Sequence, residues 1–442
     1  MDTYGIVVDE DMLRNTFQTN IAEAGDLINM RLIIHITLFG LLPSYFVYKI
    51  KIKTETFNKA IISKATTVSL SIMMIVIIVF SFSKNYASFF REHKYLRFYT
   101  NPIFYIYSTG KYISSTFAIK TQATIPIGDD AVLHSGKANP RLTIMVVGET
   151  ARADRFSLNG YQRKTNPLLE KENVTSFKDM SSCGTATAVS VPCMFSKFSR
   201  DEYDDEKGAI YENVLDILAK TGVNVLWRDN NSDSKGIALR VTFENYKSKK
   251  NNTICDSECR DVGMLVGLQD YINRHKGDIL IVLHQMGNHG PAYYKRYPKA
   301  FEVFTPTCLS KNIETCTAEQ INNSYDNAIV YTDYFLKQTI ELLKSNSKKY
   351  STALLYVSDH GESLGENNIY LHGLPYFIAP KEQTHTAAIF WSGGKIDINK
   401  EKLDANKPVS HDNIFHSLLG LFDVRTKLYN KQLNIFEYTD RK

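Results

Sequence analysis

The sequence predicts an α/β domain built on a mainly parallel sheet sandwiched by helices, preceded by a transmembrane helical hairpin. Three observations predict this. Two apolar stretches near the N-terminus approach the length that crosses a bilayer. Four later runs, "LTIMVV" (142–147), "VNVLW" (223–227), "ILIVLH" (279–284) and "ALLYVS" (353–358), are mostly apolar throughout instead of alternating. Helical patterns separate these runs. Strands buried on both faces read this way, and they belong to parallel sheets covered by helices.

The bulk numbers fit that plan. A chain of 442 residues suits a large catalytic domain with something in addition. The net charge of +5 comes without a long basic block, so nucleic acid is not an expected partner.

The apolar stretches are 32–48, "LIIHITLFGLLPSYFVY", and 65–83, "ATTVSLSIMMIVIIVFSFS". Each is near the roughly 17–25 residues that span a bilayer core. The second carries no charge. The first contains His35 and Pro43, so a buried helix of a soluble domain is its alternative reading. The loop between them, 49–64, has five Lys and one Glu, which favours the cytoplasm. The tail before and everything after Ser83 then lie outside. The expected organisation is an outer tail (1–30, helical from Asp11), the hairpin (31–83, loop 49–64), an interfacial segment and linker (84–140), and a catalytic domain (141–442). Residues 89–113 mix aromatic rings with Arg and Lys, which suits the headgroup layer.

All six cysteines follow the second apolar stretch. An even count in an exported domain reads as disulfides. Six cysteines allow fifteen pairings; near neighbours point to Cys183–Cys193, Cys255–Cys259 and Cys308–Cys316. A zinc knuckle at Cys255 and Cys259 is the competing reading, but no second Cys/His pair stands at suitable spacing.

Polar residues follow each buried strand: Glu149 after the first, Asn231, Ser232 and Lys235 after the second, His289 after the third, and Asp359, His360 and Glu362, then His372, after the fourth. In open α/β sheets, ligands bind beyond the carboxyl ends of the strands. Glu149, Asp359 and His360 supply two carboxylates and an imidazole, a set that suits zinc with one position left for an oxygen. His289 and His372 can hold a second metal or bind a phosphate. The remaining ligand is either water, which makes a hydrolase, or a protein hydroxyl that the metal activates. The stretch "SSCGTATAVSVPCMF" (181–195) places three hydroxyls, Thr185, Thr187 and Ser190, between two cysteines. A helix starting there would stabilise an anion at its N-terminus. A plain helix cap beside a structural disulfide is the alternative.

The segments "VVGETARADRFSLNGYQRKTNP", "SCGTATAVSVPCMF", "LWRDNNSDSKG", "LHQMGNHGPAYYKRYP" and "YVSDHGESLGENNIYLHG" closely resemble the lipid A phosphoethanolamine transferases. That group includes the mobile colistin resistance enzymes and is a membrane-anchored branch of the alkaline-phosphatase and sulfatase superfamily. The resemblance implies that Thr187 is the nucleophile and carries a phosphothreonine intermediate. It implies that Glu149, Asp359 and His360 are the other zinc ligands, with His289 and His372 at a second metal and substrate site. Asn231, Ser232, Lys235 and Glu362 match the donor-binding neighbourhood. In the tail, "DMLRNTFQTNIAEA" is similar to a loop that reaches over the active site, where Asn15 and Glu23 match lipid contacts. The three proposed disulfides fit the family pattern.

The resemblance further implies one zinc ion or two, a phosphatidylethanolamine donor, a lipid A acceptor and a polymyxin and colistin resistance phenotype. It places a monomer in the bacterial inner membrane with its catalytic domain in the periplasm. Members usually have five membrane helices; the two here match the last pair, and the first three are expected upstream. Three alternatives stay open: transfer to another envelope acceptor (core sugar, glucan or protein), a metal-dependent phosphodiesterase or sulfatase, and a membrane sensor without activity. The sulfatase C/S-x-P-x-R motif is absent, because Ala188 and Val189 follow Thr187.

Overall fold

The computed structural model of the chain describes residues 7–18, 28, 30–51, 56–82, 94–120, 123–134, 139–393, 398–399 and 402–438. The elements that matter for the site run in this order: α1 Glu10–Gln18, α2 Met30–Lys49 (with a π-helical stretch at Ile36–Leu41), α3 Phe57–Ser81, α4 Ile103–Lys120, β1 Val132–Leu133, β2 Arg141–Gly148, β3 Thr175–Ser181, α5 Thr187–Phe195, α6 Asp205–Ile210, α7 Val214–Lys220, β4 Asn224–Asp229, β5 Thr242–Asn245, α8 Leu268–Arg274, β6 Ile279–His284, α9 Ala318–Asn346, β7 Ser351–Ser358, β8 Ser363–Leu364, β9 Tyr370–Leu371, β10 His385–Ser392, β11 Val409–Ser410, α10 Asp412–Leu421 and β12 Val424–Arg425. The chain divides into two compact units, one covering Ile28–Ser108 and one formed by the tail with Thr109–Lys442.

In the first unit, α2 and α3 are long and apolar enough to cross a membrane, with mean hydropathies of 1.5 and 2.1. The loop expected over 49–64 is shorter than that, because α3 begins at Phe57 and carries Lys59 and Lys64 on its early turns. Lysine is a good helix former and no Pro or Gly interrupts the stretch, so the helix extends into the charged segment. The expected linker also holds regular structure: α4 fills part of it, and β1 pairs antiparallel with β12. Residues 83–93 lie outside the described ones.

In the second unit, eight strands form one sheet in the order β11-β3-β10-β7-β2-β6-β4-β5. Strands β7, β2, β6, β4 and β5 are parallel neighbours, whereas β10 runs antiparallel to both β7 and β3. Every residue of β2, β6 and β7 is buried. Alternate side chains go to opposite faces. Met145, Val147, Leu280, Val282 and Leu355 pack against α5, α7 and α10. Leu142, Ile144, Ile281, Leu283 and Leu354 pack against α8 and α9. Both faces are dry, which is why these strands read as continuous apolar runs.

Register aligns the strand ends. Gly148 pairs with Ser358, Val147 with His284, and Asp229 with His284. The residues that follow β2, β4, β6 and β7 therefore emerge at one edge of the sheet. Three disulfides, Cys183–Cys193, Cys255–Cys259 and Cys308–Cys316, use all six cysteines.

Because Leu354 is fully buried at the sheet centre, Leu354→Ala is expected to destabilise the second unit by about 2–5 kcal/mol. The same change at Leu239, which is 74% exposed, is expected to stay within about 0.5 kcal/mol. Unfolding midpoints of the two variants in detergent check this.

Candidate active site

Glu149 leaves the end of β2 with no solvent exposure. The next residue, Thr150, holds φ at 58°, a left-handed conformation that a β-branched residue rarely adopts. That turn lets the Thr150 hydroxyl donate to Glu149 Oε1 and its N–H donate to Asp359 Oδ1 at 3.1 Å. Two strand ends are thus tied together through one strained residue.

Thr187 is the first residue of α5 and is 3% exposed. Its hydroxyl donates to Glu149 Oε2 at 3.2 Å and lies 3.4 Å from His360 Nε2. No side chain caps the first turn of α5. Its leading N–H groups therefore stand ready for an anion. Thr185 and Ser190, the other two hydroxyls between the cysteines, are bound elsewhere. Thr185 donates to the Leu374 carbonyl at 2.6 Å, and Ser190 exchanges bonds with Gly184.

His360 Nδ1 lies 2.9 Å from the Gly361 carbonyl, which can only accept. Nδ1 therefore carries a proton, and in the neutral ring Nε2 turns a lone pair toward oxygen atoms. Those are Asp359 Oδ2 at 3.4 Å, Glu149 Oε1 at 3.5 Å and the Thr187 hydroxyl. Among the described residues, no Lys or Arg bonds either carboxylate, and the buried Asp359 Oδ2 has no hydrogen-bond partner. Two buried carboxylates, an imidazole nitrogen and a hydroxyl facing one point make a donor set that fits a bound cation. The ligand atoms of Glu149, Asp359 and His360 all lie within 4.8 Å of one another. A tetrahedral metal with ligands at about 2.0 Å has edges of roughly 3.3 Å, close to the separations seen here.

The electrostatics reflect the crowding. Burial pushes Glu149 upward, but the positive charge that His360, His289 and His372 carry when protonated, with the Thr150 hydroxyl, outweighs it and holds the carboxyl at about 2. Burial pushes His360 down, but the Asp359 and Glu149 charges outweigh it and raise it. Burial and the adjacent Glu149 charge push Asp359 up. Two carboxylates sharing one site are driven apart in this way.

The other residues singled out in the sequence fall at several places. His372 stands beside His360, with ring centroids 4.2 Å apart, and His289 lies 5.8 Å from His372. Asn231 Nδ2 donates to Glu149 Oε2 at 2.7 Å and to the Gln285 carbonyl at 2.9 Å. Ser232 is buried on the same loop, and Lys235 Nζ donates to the Ser232 carbonyl at 2.9 Å and the Gln18 carbonyl at 3.2 Å. Asn15 is half-buried on α1. That helix is anchored by the buried Arg14, which pairs with Asp205 on α6. Glu23 lies outside the described residues. Glu362 lies beside His372. It is fully buried, and both carboxylate oxygens are occupied, Oε1 by the Tyr293 hydroxyl at 2.6 Å and Oε2 by His372 Nδ1 at 2.7 Å. It orients the His372 ring.

Two further elements carry no signal in the sequence. His411 takes the Cys183 N–H on Nδ1 at 3.1 Å and gives Nε2–H to the Ser358 carbonyl at 3.0 Å. Burial lowers its pKa to about 3, so it stays neutral and bridges the loop before Thr187 to the strand before Asp359. Asp229, bonded to His284 Nδ1 at 2.9 Å, also accepts the N–H groups of Asn231 and Asp233, each at 3.1 Å, and shapes the loop that delivers Asn231. Both depend on long-range pairing.

Residues 141–424 match the family described as Sulfatase, and residues 1–117 match the family described as Phosphoethanolamine transferase EptA/EptB. The chain is 48% identical over 436 residues to phosphatidylethanolamine transferase Mcr-1 of Escherichia coli, covering 96% of this chain and 80% of that one. The chain belongs to the phosphoethanolamine transferase family. Family member EptA of E. coli K12 is 42% identical, with 98% of this chain and 82% of that one aligned. The solved structure of the integral membrane protein lipooligosaccharide phosphoethanolamine transferase A from Neisseria meningitidis superposes with a TM-score of 0.91 at 34% identity, covering 98% of this chain and 83% of that one. The transferase family thus accounts for both the apolar helices and the sulfatase-like sheet.

Removing the His411 ring strands a buried N–H and a buried carbonyl. His411→Ala is expected to cost about 1–3 kcal/mol for each group left unpaired. Hydrogen exchange at Cys183 to Ala186 should then speed up while the amides of β2 and β6 stay protected, which mass spectrometry of peptides reads directly.

Proposed function

We propose that the chain transfers phosphoethanolamine from phosphatidylethanolamine to a lipid A phosphate in the bacterial inner membrane, with its second unit in the periplasm. The observation that carries the reading is the Thr187 hydroxyl, buried at a helix N-terminus and facing Glu149 and His360. Glu149, Asp359, His360 and Thr187 would hold one zinc ion, and His289 with His372 a second. When bound, zinc supplies Lewis acidity that lowers the pKa of a hydroxyl and offsets charge on phosphoryl oxygens.

The residues do the rest. Thr187 donates to Glu149 Oε2, which orients the hydroxyl oxygen toward the open side of the site. In the first step Thr187 Oγ1 bonds to phosphorus and the bond to diacylglycerol breaks. Diacylglycerol leaves with the proton. In the second step an oxygen of the lipid A phosphate monoanion bonds to the same phosphorus, the bond to Thr187 breaks, and the proton of that phosphate passes to Thr187 Oγ1, restoring the hydroxyl. The uncapped first turn of α5 and the Lys235 ammonium favour the anionic phosphoryl group in both steps. The Cys183–Cys193 bond closes the loop that presents Thr187. The product carries an added ammonium where lipid A carried exposed negative charge. Cationic peptides such as polymyxins then bind the surface less well.

Lipid A from cells expressing the wild-type chain is expected to gain phosphoethanolamine, and lipid A from cells expressing Thr187→Ala is not; mass spectrometry that found equal adduct in both would sink the assignment. Glu149→Gln, Asp359→Asn and His360→Ala should each purify with little of the zinc that the wild type retains, measured by elemental analysis.

A further inference from the structure

Glu362 and His372 are joined by a hairpin. Strands β8 and β9 pair with Ser363 opposite Leu371, so the residue before β8 and the residue after β9 meet. Gln383 locks that hairpin, donating to Ser363 Oγ at 3.0 Å and to the Leu371 carbonyl at 3.1 Å. Glu362 is fully buried, and Arg152 donates only to its main-chain carbonyl. The carboxylate is satisfied by two partners, Tyr293 and His372. Tyr293 is 1% exposed and its ring packs edge-on against Tyr325 at 5.6 Å. Gly290 leaves room for this contact: a Cβ there would stand 2.6 Å from Glu362 Oε1 and 2.8 Å from the Tyr293 hydroxyl.

The geometry points to Tyr293 as a positioning residue that acts through Glu362 on His372, holding the imidazole with Nδ1 protonated and the lone pair on Nε2. The Tyr293 hydroxyl donates at 2.6 Å, so Glu362 Oε1 accepts. Glu362 is then a carboxylate, its Oε2 also accepts, and the proton of the 2.7 Å contact sits on His372 Nδ1. Nε2 is the opposite ring nitrogen, and the ring is 4.2 Å from that of His360. Burial and the Glu362 charge raise the Tyr293 pKa well above its usual value, so the hydroxyl stays a donor. Partners of this kind set the tautomer and orientation of an imidazole that accepts a proton or ligates a metal. Tyr293 does not touch the reacting atoms. The inference rests on the Thr187 transfer reading for its kinetic part, and on the chain's own hydrogen bonds for the rest.

A double-mutant cycle on the full-length chain in detergent tests it. Tyr293→Phe is expected to lower kcat about tenfold with KM for phosphatidylethanolamine unchanged. On a His372→Gln background the same change should cost less than twofold, because its effect runs through the imidazole. Losses that multiply in full across the two backgrounds would overturn the inference, as would a Tyr293→Phe enzyme within twofold of wild type. Glu362→Gln provides an arm independent of turnover. Its amide can donate to His372 Nδ1 and drive the proton to Nε2. Nitrogen-15 spectra of the histidine-labelled, metal-free chain should show His372 exchanging tautomer in that variant, and an unchanged tautomer would also overturn the inference. If Thr187→Ala kept full activity, the transfer reading would fall while the tautomer result stood by itself.

Discussion

Everything in the site depends on keeping the Glu149 carboxylate buried. A charge removed from water must be met by donors, by a cation or by both. Here the donors come from three places in the chain, Thr150 beside it, Thr187 on α5 and Asn231 from the loop after β4, and the imidazoles after β6 and β7 add positive charge when protonated. None is a lysine or an arginine among the described residues. Asp359 adds a second buried negative charge and brings no donor of its own. Two buried carboxylates facing one imidazole favour a positive ion there, and in the proposed function that ion makes Thr187 reactive.

The fold supplies the convergence. Parallel register ends β2, β4, β6 and β7 at one level, so short loops bring their first polar residues to a common point. Thr187 arrives from a different direction, on a helix packed against one face of the sheet, and must be held there. Two devices do that. The Cys183–Cys193 bond closes the loop, and neutral His411 clips the loop to the Ser358 carbonyl. The β8–β9 hairpin plays the matching part for His372. Strain at Thr150 is tolerated because the donors it aims are needed where they are.

Much of this was legible in the sequence, and the reason is dryness. Strands β2, β4, β6 and β7 are buried on both faces and so are written as apolar runs, with Glu149, Asn231, His289 and Asp359 following them within a few residues. Strand β3, "TSFKDMS", is not legible that way, because it mixes buried and exposed positions near a sheet edge. Strand β10, "HTAAIFWS", is apolar but antiparallel, and no cluster of polar residues marks its end. Residue identity was easier to read than residue role. Glu362 stands two residues after His360 and reads as another site acid, and only the folded chain shows that Tyr293, far away in sequence, bonds it. His411 and Asp229 act through partners that only the folded chain brings near, so local spacing carries no trace of them.

The central claim is that Thr187 carries the phosphoethanolamine group between donor and acceptor. The most direct measurement incubates the full-length chain with phosphatidylethanolamine and no acceptor, then determines the intact mass and maps the modified peptide. One phosphoethanolamine adduct is expected, on the peptide containing Thr187, and it disappears when lipid A is added. An adduct on another residue, or none while transfer proceeds at its normal rate, would contradict that claim.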